Sequence, residues 1–538
     1  MGTDRTFDGI IIGGGHQGLI CAAYLARAGM DVLVLERNLH VGGGLHTVDV
    51  SGEGFRYNLH SINHFNITNT PWYNDLDLAS HGVDYIEPTH EFAQPHSDGD
   101  GLILSKDRDR TVEVIGRHSE ADASQYEEMS QVAERMVSDI YLPERFDEPL
   151  PAHERRELLS SSEVGQRFLD WTTESAFDLI DDWYETERLK ALLLFKLSIF
   201  GEPGEGIDNP SHKGGIARCF DQQHTYQIAR GGSQMLALGL VQAIQQHGGT
   251  VLTNSEVDSI NLENGDAVGV TLSDGRSFGA SEFVASAVNP HLTFESFVGL
   301  GNLDESLAAG IEDEIEEFAY TDWSLLGTHF ALEEAPEYPT TDVPELNNAL
   351  KHNVGLETIA DIEAAHEAMV EKEYPVPGFG GGSLTLFDGT QAPEGHHTAY
   401  AWHVAPYDLH GDADAWKDVA DEVPQRTLDA WGEYAPNMTE DNVVHSYTYT
   451  PRQIPLTNVN MVNGGIFVGA LTEEQTLDEH IGYRTPIGNL FLCGSSTHPG
   501  GAINGGAGYI GAKVILQELG IDPWWNPVNA RDALASLG

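Results

Sequence analysis

The pattern with the most definite chemistry is a glycine-rich turn near the start of the chain. Gly13, Gly15 and Gly18 follow the spacing G-x-G-x-x-G between an apolar stretch, residues 8–12, and a small-residue stretch typical of a helix, residues 18–28. The first glycine permits a tight turn, the second lets the backbone approach a pyrophosphate, and the third lets the helix pack closely on the strand. A helix N-terminus adds free amide groups and partial positive charge. We therefore predict a dinucleotide site at this turn.

An acidic residue completes the predicted strand–helix–strand unit. Glu36 ends the second apolar stretch, residues 31–35, and stands 18 positions after Gly18. A carboxylate at this position accepts hydrogen bonds from the adenosine ribose of a dinucleotide. A glycine turn alone also occurs without a cofactor, so the acid in register is what favours dinucleotide binding.

The residues after the acid indicate the type of dinucleotide by resemblance. Glu36-Arg37-x-x-x-x-Gly42-Gly43, continued by Gly44-Leu45-His46-Thr47, resembles the FAD-dependent amine-oxidase and phytoene-desaturase superfamily. There the acid, the basic residue and the glycine pair close over FAD, and NAD proteins lack this extension. Gly14-Gly15-His16-Gln17-Gly18-Leu19 is similar to phytoene-dehydrogenase-related oxidoreductases and desaturase-like carotene ketolases, which carry Asn where this chain has Gln17. The resemblance implies a non-covalent FAD site that includes Arg37, Gly42, Gly43 and Thr47.

Two later stretches extend the resemblance. Tyr226-x-x-x-x-Gly231-Gly232-Ser233-Gln234, followed by Ser255-Glu256-Val257, looks like the family's second FAD segment, in which the backbone of Val257 would hold the adenine edge. Residues 486–494, followed by Thr497-His498-Pro499-Gly500-Gly501, are similar to the last FAD motif. The helix N-terminus that follows would face the flavin pyrimidine ring, where its dipole stabilises the negative charge of reduction. The contacts implied at this end are Gly494, Ser495, Gly501, Ala502 and Ile503.

Three histidines are candidate acid or base groups, because imidazole titrates near working pH. His60 and His64 lie where the family's chain passes from the dinucleotide fold toward the flavin, and His498 lies beside the implied flavin contact. The alternative is a structural histidine, or cofactor packing for His498, since the chain contains 24 histidines. Trp402 and His403 resemble a strand of the family's substrate lobe and are candidate substrate residues, with core packing as the alternative. No HExxH or Cys-His spacing predicts a metal site.

The coarse pattern predicts an α/β fold, and the family resemblance implies a discontinuous Rossmann-type FAD-binding domain with a mixed α+β substrate-binding lobe. Strand and turn patterns assign residues 1–75, 225–295 and 480–525 to the FAD-binding domain. Apolar residues at helical spacing from about residue 120 indicate a separate lobe. The remaining assignments are residues 76–224 and 296–479 to the substrate-binding lobe and residues 526–538 to a C-terminal tail.

The charge balance excludes one class of partner. The chain has 84 Asp and Glu against 28 Lys and Arg, a formal net charge of −56. Binding nucleic acid phosphates requires a basic face, so no nucleic-acid partner is expected. An acidic surface on a chain with 40% apolar residues favours adaptation to molar salt, where the Debye length is roughly 3 Å, and an ordinary acidic enzyme is the alternative. Loss of the folded signal on dilution into low salt would separate the two.

The cysteines and the N-terminal residues indicate an expected location. Three separated cysteines, and an N-terminus without the basic flank and apolar core of a signal peptide, favour a reducing cytoplasm. The longest apolar run, residues 191–200, is too short to span a membrane and is interrupted by Lys196. A buried helix is therefore expected there, with peripheral membrane contact as the alternative.

The resemblance implies an FAD-dependent oxidoreductase of the desaturase or dehydrogenase type. Such an enzyme passes a hydride from an apolar, isoprenoid- or carotenoid-like substrate to flavin N5, and the final electron acceptor is oxygen, a quinone or another carrier. Three alternatives stay open: an oxidase of amines or alcohols, a saturase or isomerase that uses reduced flavin, and a flavin-holding scaffold without turnover.

Overall fold

The computed structural model describes residues 5–198, 214–321, 323–340, 342–470, 475 and 481–538. The end of the apolar run, residues 199–200, and the predicted domain boundary at residue 480 lie outside these ranges. Within them, the chain folds into two larger β-sheets accompanied by helices, and the predicted α/β class is confirmed.

The first sheet brings together strands that are far apart in the sequence. Strand Arg5–Ile12 carries three consecutive isoleucines, and its buried end pairs in parallel with Val32–Leu35 on one side and Ser277–Ser286 on the other. Across the sheet the strand order is Thr250–Leu252, Val32–Leu35, Arg5–Ile12, Ser277–Ser286, Asp266–Leu272 and Val257–Glu263, with Leu490–Leu492 also paired to Ser277–Ser286. All of these strands lie in the three segments expected to form the FAD-binding domain, whose exact boundaries stay a prediction.

The helix after the glycine turn joins the two ends of the chain. Helix His16–Arg27 is almost entirely buried and packs against helix Gly506–Glu518. A Cβ on Gly508 would lie 2.2 Å from the carbonyl oxygen of Gln17, so only glycine allows the helices to approach this closely. The Gln17 side chain donates a hydrogen bond to Asn504 Oδ1 (3.2 Å) and accepts one from the Gly508 amide (2.8 Å). These contacts hold the opening and closing glycine turns together.

The second sheet forms one layer of the other lobe. Its pairings are antiparallel except between Ala349–Val354 and His90–Pro95, which run parallel. Across the sheet the strand order is Val443–Tyr449, Trp323–Leu332, His397–Pro406, Phe379–Gly382, Ala349–Val354, His90–Pro95 and Gly101–Ser105. The lobe therefore combines this mixed sheet with the helices that lie between residues 108 and 220.

The helices follow the apolar spacing of the sequence. Helix Ile359–Val370 begins with a capping box in which the Thr358 side chain accepts from the Asp361 amide. The apolar run 191–200 falls largely in the buried helix Glu187–Ser198. The described α-helices are His16–Arg27, Pro71–Asp75, Arg108–Gly116, Glu120–Met136, Leu142–Glu144, Ala152–Ser160, Glu163–Thr173, Ala176–Trp183, Glu187–Ser198, Gly215–Phe220, Gln234–Gln246, Glu305–Glu316, Ile359–Val370, Trp416–Val419, Val423–Gly432, Ile454–Thr457, Gly506–Glu518 and Ala530–Ala535. Of these described helices, none is long and apolar enough to cross a membrane.

Short strands connect the two lobes. Thr47–Val48 pairs with Tyr57–Asn58, and Tyr226–Ala229 pairs with both His64–Phe65 and Tyr85–Ile86. This second group places His64, Phe65 and Tyr226 beside one another at the junction. Residues 526–538, expected to be only a tail, contain the helix Ala530–Ala535, whose Leu534 is fully buried.

Candidate cofactor and active site

A cavity of about 450 Å³ is lined by residues of both lobes. Its lining includes the glycine turn, the end of strand Val32–Leu35 and side chains of the second sheet. The predicted site residues that line it are Gly13, Gly15, Gly18, Glu36, Arg37, Gly43, His60, His64, Val257, Trp402, Ser495, His498, Gly501, Ala502 and Ile503. Most of the predicted site residues are thus gathered around a single space.

The glycines of the opening turn have different structural roles. A Cβ on Gly15 would meet no atom within 4 Å, so this backbone faces the open cavity. A Cβ on Gly18 would lie 2.3 Å from the carbonyl oxygen of Gly13, which makes glycine necessary for the turn itself. Gly13 has a φ of 102°, in the region that favours glycine. The turn therefore leaves a cradle at Gly15 of the kind that a pyrophosphate requires.

Glu36 is held at the edge of this cradle by backbone amides. Its Oε2 accepts from the Gly14 amide at 2.9 Å and its Oε1 accepts from the Asn38 amide at 2.7 Å. Burial raises the pKa of Glu36, and these two hydrogen bonds act in the opposite direction. The Ser255 amide donates to the Glu36 carbonyl at 2.8 Å, which brings the segment of Val257 alongside. The adenosine end of a dinucleotide would therefore meet Glu36 and Val257 together.

The closing turn lies across the cavity from Glu36. His498 Nε2 donates to the carbonyl oxygen of Glu144 at 2.7 Å, and the Tyr483 hydroxyl donates to the carbonyl oxygen of His498. Ala502 has a φ of 69°, an uncommon conformation for a residue with a Cβ and one that concentrates at functional sites. His498 thus fixes the segment that carries Arg145, and its proposed part in proton transfer stays a prediction.

Four predicted residues do not line the cavity, namely Gly42, Thr47, Gly494 and His403. The Gly42 amide donates to the Gly14 carbonyl at 2.7 Å and so braces the opening turn. Thr47 Oγ1 donates to Asn58 Oδ1 at 2.7 Å and accepts from the Gln234 amide at 3.1 Å. Both residues therefore support the cradle indirectly, because their polar groups are hydrogen-bonded to other parts of the chain and do not face the cavity.

Gly494 and His403 have structural roles outside the cavity. A Cβ on Gly494 would lie 2.6 Å from the carbonyl oxygen of Ala287, so Gly494 serves close packing beside the first sheet. His403 Nδ1 lies 3.1 Å from the Gly378 carbonyl oxygen, whereas its neighbour Trp402 lines the cavity. Successive side chains of a strand point to opposite faces, which explains why only one of this pair reaches the cavity.

His60 and His64 reach the cavity but are neutral in this environment. His60 Nε2 lies 3.2 Å from the Tyr449 hydroxyl and 3.2 Å from Thr457 Oγ1, and His64 Nδ1 lies 2.5 Å from the Tyr85 hydroxyl. Burial lowers the pKa of each histidine to about 3. The expectation that they titrate near working pH is therefore not met here, and their acid–base role stays a prediction. Among the described residues, no cluster of three or more His, Cys, Asp and Glu side chains is suited to a metal ion.

A second group of cavity residues, not predicted from the sequence, combines cations with aromatic rings. These residues come from helices, short strands and the second sheet, so no short motif contains them. They are Phe65, Tyr141, Arg145, Phe168, Arg218, Tyr226 and Lys351. His16 was also missed as a lining residue, and it lies between two glycines of the recognised turn. In the sequence, Lys351 is distinguished only as a charged residue within the strand Ala349–Val354.

Two features of the cavity, its cradle at the opening turn and its two ends, fit a bound FAD. The open space beside Gly15 matches the approach of a pyrophosphate, and His16 Nε2 is buried without a partner among the described residues. Glu36 at one end and Ile503 near the N-terminus of helix Gly506–Glu518 at the other lie on the same cavity. FAD would span them, with its adenosine at Glu36 and its flavin toward Ile503.

Comparison with known proteins gives the same answer. Residues 18–293, just over half of the chain, match the family model described as flavin containing amine oxidoreductase. The protein belongs to this family. A family relative, a limonene dehydrogenase subunit of Castellaniella defragrans, is 30% identical over 98% of this chain and 97% of its own length. The neurosporene-forming phytoene desaturase of Cereibacter sphaeroides is 23% identical over 95% of this chain and 94% of its own.

Solved structures agree on the fold. The crystal structure of an oxidoreductase from Methanosarcina mazei covers 95% of this chain and 99% of that chain with a TM-score of 0.59 at 16% identity. Family membership and the fitted cradle together identify the chain as an FAD-dependent oxidoreductase. The superfamily resemblance and the cofactor predicted from the sequence are therefore confirmed.

Proposed function

We propose that the protein is an FAD-dependent dehydrogenase that removes a hydride from a substrate with an apolar, terpenoid-like body. The observation that carries this proposal is the continuity of the cavity, which leads from the cofactor cradle to rings of Phe65, Tyr226 and Trp402. Aromatic walls bury apolar substrate surface and exclude water from the reacting carbon. The relatives named as a limonene dehydrogenase subunit and a phytoene desaturase support a terpenoid class of substrate.

When bound, FAD would supply the oxidising equivalent by accepting a hydride from one substrate carbon; the proton of the neighbouring carbon would pass to a neutral imidazole, His60 or His64, as the double bond forms. Oxygen, a quinone or another carrier receives the two electrons afterwards. The protein's own contribution is to orient the substrate between rings and to offer hydrogen bonds from neutral imidazoles. On these two histidines, His60 Nδ1 and His64 Nε2 lack a partner among the described residues.

The charge of the cavity argues against the amine alternative. Arg145, Arg218 and Lys351 all line it, and cations repel a protonated amine. A terpenoid carries no positive charge and meets no such penalty. Dehydrogenation of a terpenoid is therefore favoured over oxidation of an amine.

The decisive experiment is anaerobic mixing of FAD-reconstituted protein with a panel of terpenoids, alcohols, carboxylates and amines, read by the visible flavin absorption band. We expect a terpenoid to bleach the band and every amine to leave it unchanged. Protein unfolded in the presence of the same FAD serves as the control, because it tests reduction outside the folded site. Bleaching by amines alone would overturn the proposal, and bleaching only by an external reductant would favour the saturase or isomerase alternative.

A further inference from the structure

Three basic side chains from different parts of the chain line the cavity together. Arg145 follows the short helix Leu142–Glu144, Arg218 lies in helix Gly215–Phe220, and Lys351 lies in the second sheet. Arg145 is only 5% exposed and Lys351 only 4% exposed, although charged residues are rarely buried without a purpose. All three line the cavity, and we call them the basic wall.

Shared aromatic rings show that the basic wall is one surface. The Arg218 guanidinium carbon lies 4.6 Å from the centre of the Phe65 ring and 5.2 Å from that of Tyr141. The guanidinium carbon of Arg145 lies 5.8 Å and 5.6 Å from the same two ring centres. The neighbouring Arg218 charge adds to burial in lowering the pKa of Arg145, as expected for two cations side by side.

Lys351 joins this surface through Tyr226. Its Nζ lies 5.8 Å from the Tyr226 ring centre, and the Tyr226 and Phe65 ring centres are 5.9 Å apart. The charges of Arg218 and Arg145 both lower the pKa of the Tyr226 hydroxyl, although burial raises it overall. Tyr226 therefore lies within electrostatic reach of all three members of the basic wall.

Nearby buried carboxylates are already neutralised by other cations. Arg155 forms two hydrogen bonds with Glu144, at 2.6 Å and 3.0 Å. Glu91, on the strand next to Lys351, pairs with Lys196 at 2.9 Å and also accepts from the Tyr226 amide. In the part of the chain that the structure describes, no carboxylate oxygen lies within 4 Å of a side-chain nitrogen of Arg145 or Lys351.

The cofactor does not account for this charge. A pyrophosphate belongs at the opening turn, where Gly15 leaves space and a helix N-terminus supplies amides. The basic wall instead lies against Phe65, Tyr226 and Trp402, the rings that receive the substrate in the proposed function. In a chain of net charge −56, Arg145 and Lys351 thus lie beside the substrate space without a carboxylate partner among the described residues.

We propose that the basic wall binds an anionic group, a carboxylate, at one end of the otherwise apolar substrate. This inference rests on the proposed function and narrows its substrate to a terpenoid-like acid. Guanidinium and ammonium groups match a carboxylate in charge and in hydrogen-bond donors. The aromatic rings between them accommodate the apolar body that adjoins the carboxylate.

Lys351 gives the site a pH dependence. Burial lowers the pKa of Lys351 to about 7, and the charge of Glu91 opposes that shift. The charged groups around it are Glu91 and its partner Lys196, with the two arginines beyond, and the Tyr226 hydroxyl between them is neutral. A bound carboxylate favours the protonated lysine, so affinity falls as pH rises above about 7 and the lysine loses its proton.

The test compares three probes with one terpenoid skeleton, geranate, geraniol and geranylamine, by their effect on the visible spectrum of the oxidised, FAD-reconstituted protein. We expect geranate to bind about tenfold more tightly than geraniol, since hydrogen bonds to charged groups supply that difference, and geranylamine to bind most weakly. We expect the geranate affinity to decline between about pH 7 and pH 9, where the carboxylic acid itself stays ionised.

Substitutions then assign the effect to the basic wall. Arg145→Gln and Lys351→Met should each weaken geranate binding about tenfold and leave geraniol binding within about twofold, because only the carboxylate meets the lost charge. Lys351→Met should also abolish the pH dependence. Arg135→Gln, a surface change with the same loss of charge, serves as the control. FAD content and melting temperature verify that each variant is folded, and either variant alone suffices for the comparison.

Three results would overturn the inference: equal affinities for geranate and geraniol, equal weakening of both probes in the variants, or no binding of any probe at millimolar concentration. Failure of the proposed function would give a different result, because the binding measurements with geranate, geraniol and geranylamine need no turnover. Bleaching by neutral terpenoids with no preference for geranate would refute the anionic group alone. Tight geranate binding without bleaching by any terpenoid would refute the dehydrogenation alone.

Discussion

Gly15→Ala separates a glycine needed for the cofactor from one needed for the fold. The added Cβ meets no atom within 4 Å, and Gly15 already has a φ of −69°, which alanine adopts freely. Gly15 precedes helix His16–Arg27 as its N-cap, where alanine is less favourable than glycine by roughly 0.5–1 kcal/mol. The folded protein without cofactor should therefore lose little stability.

The same methyl group occupies the space through which the pyrophosphate reaches the backbone. Loss of one hydrogen bond to a charged phosphate oxygen costs about 1.5–3 kcal/mol, which corresponds to a weakening of FAD binding by about 10- to 150-fold. Gly18→Ala should behave differently, because its Cβ would lie 2.3 Å from the Gly13 carbonyl oxygen and the backbone would have to move. Overpacking of this kind destabilises the fold by about 1–3 kcal/mol.

Two assays distinguish the outcomes: FAD titration by fluorescence quenching for affinity, and urea unfolding of the cofactor-free protein for the free energy of unfolding. Gly310→Ala is a matched control, because it lies in helix Glu305–Glu316 and its Cβ also meets open space. It should leave FAD affinity unchanged. Wild-type FAD affinity in Gly15→Ala, or a loss of stability as large as that of Gly18→Ala, would refute the assignment of Gly15 to the pyrophosphate.

Three further predictions concern the rest of the site. Glu36→Gln should weaken FAD binding about 10- to 100-fold in the same titration, since an amide nitrogen cannot accept from the ribose, and unchanged affinity would contradict the ribose contact. Trp402→Ala should raise the KM of the substrate roughly tenfold while His403→Gln lowers the melting temperature with KM unchanged, and the reverse pattern would contradict the strand orientation. Burial lowers the pKa of His329 from 6.5 to about 3, so the unfolded state binds more protons in this window and stability falls as pH drops below about 6.5. By about pH 5 this histidine should cost about 2 kcal/mol of the free energy of unfolding, and His329→Gln should reduce the decline measured by urea unfolding between those pH values; an unaltered slope would contradict it.

The sequence was informative where chemistry depends on short-range spacing. Gly13, Gly15 and Gly18 lie within one turn, and Glu36 follows after a single helix, so backbone geometry places them together without knowledge of the rest of the fold. The closing turn was recognised only through family resemblance. Its contact with the opening turn depends on the side-chain bonds of Gln17, which joins residues almost 500 positions apart.

The basic wall was not predictable from the sequence, because its members have no fixed spacing. Arg145, Arg218 and Lys351 each look like ordinary charged residues until the two lobes are assembled. His403 shows the converse limit: adjacent to Trp402 in the sequence, it was assigned the same role, yet strand alternation turns it toward Gly378. The sequence motifs also do not indicate that His60 and His64 are buried, and it is this burial that lowers the pKa of each histidine.

The most direct test of the central claim is a crystal structure of the protein reconstituted with FAD. It should contain one FAD in the described cavity, with the ribose at Glu36, the pyrophosphate beside Gly15 and the flavin between Ile503 and the rings of Phe65 and Tyr226. A flavin bound with its ring system away from those aromatic side chains, or an FAD bound outside this cavity, would contradict the account.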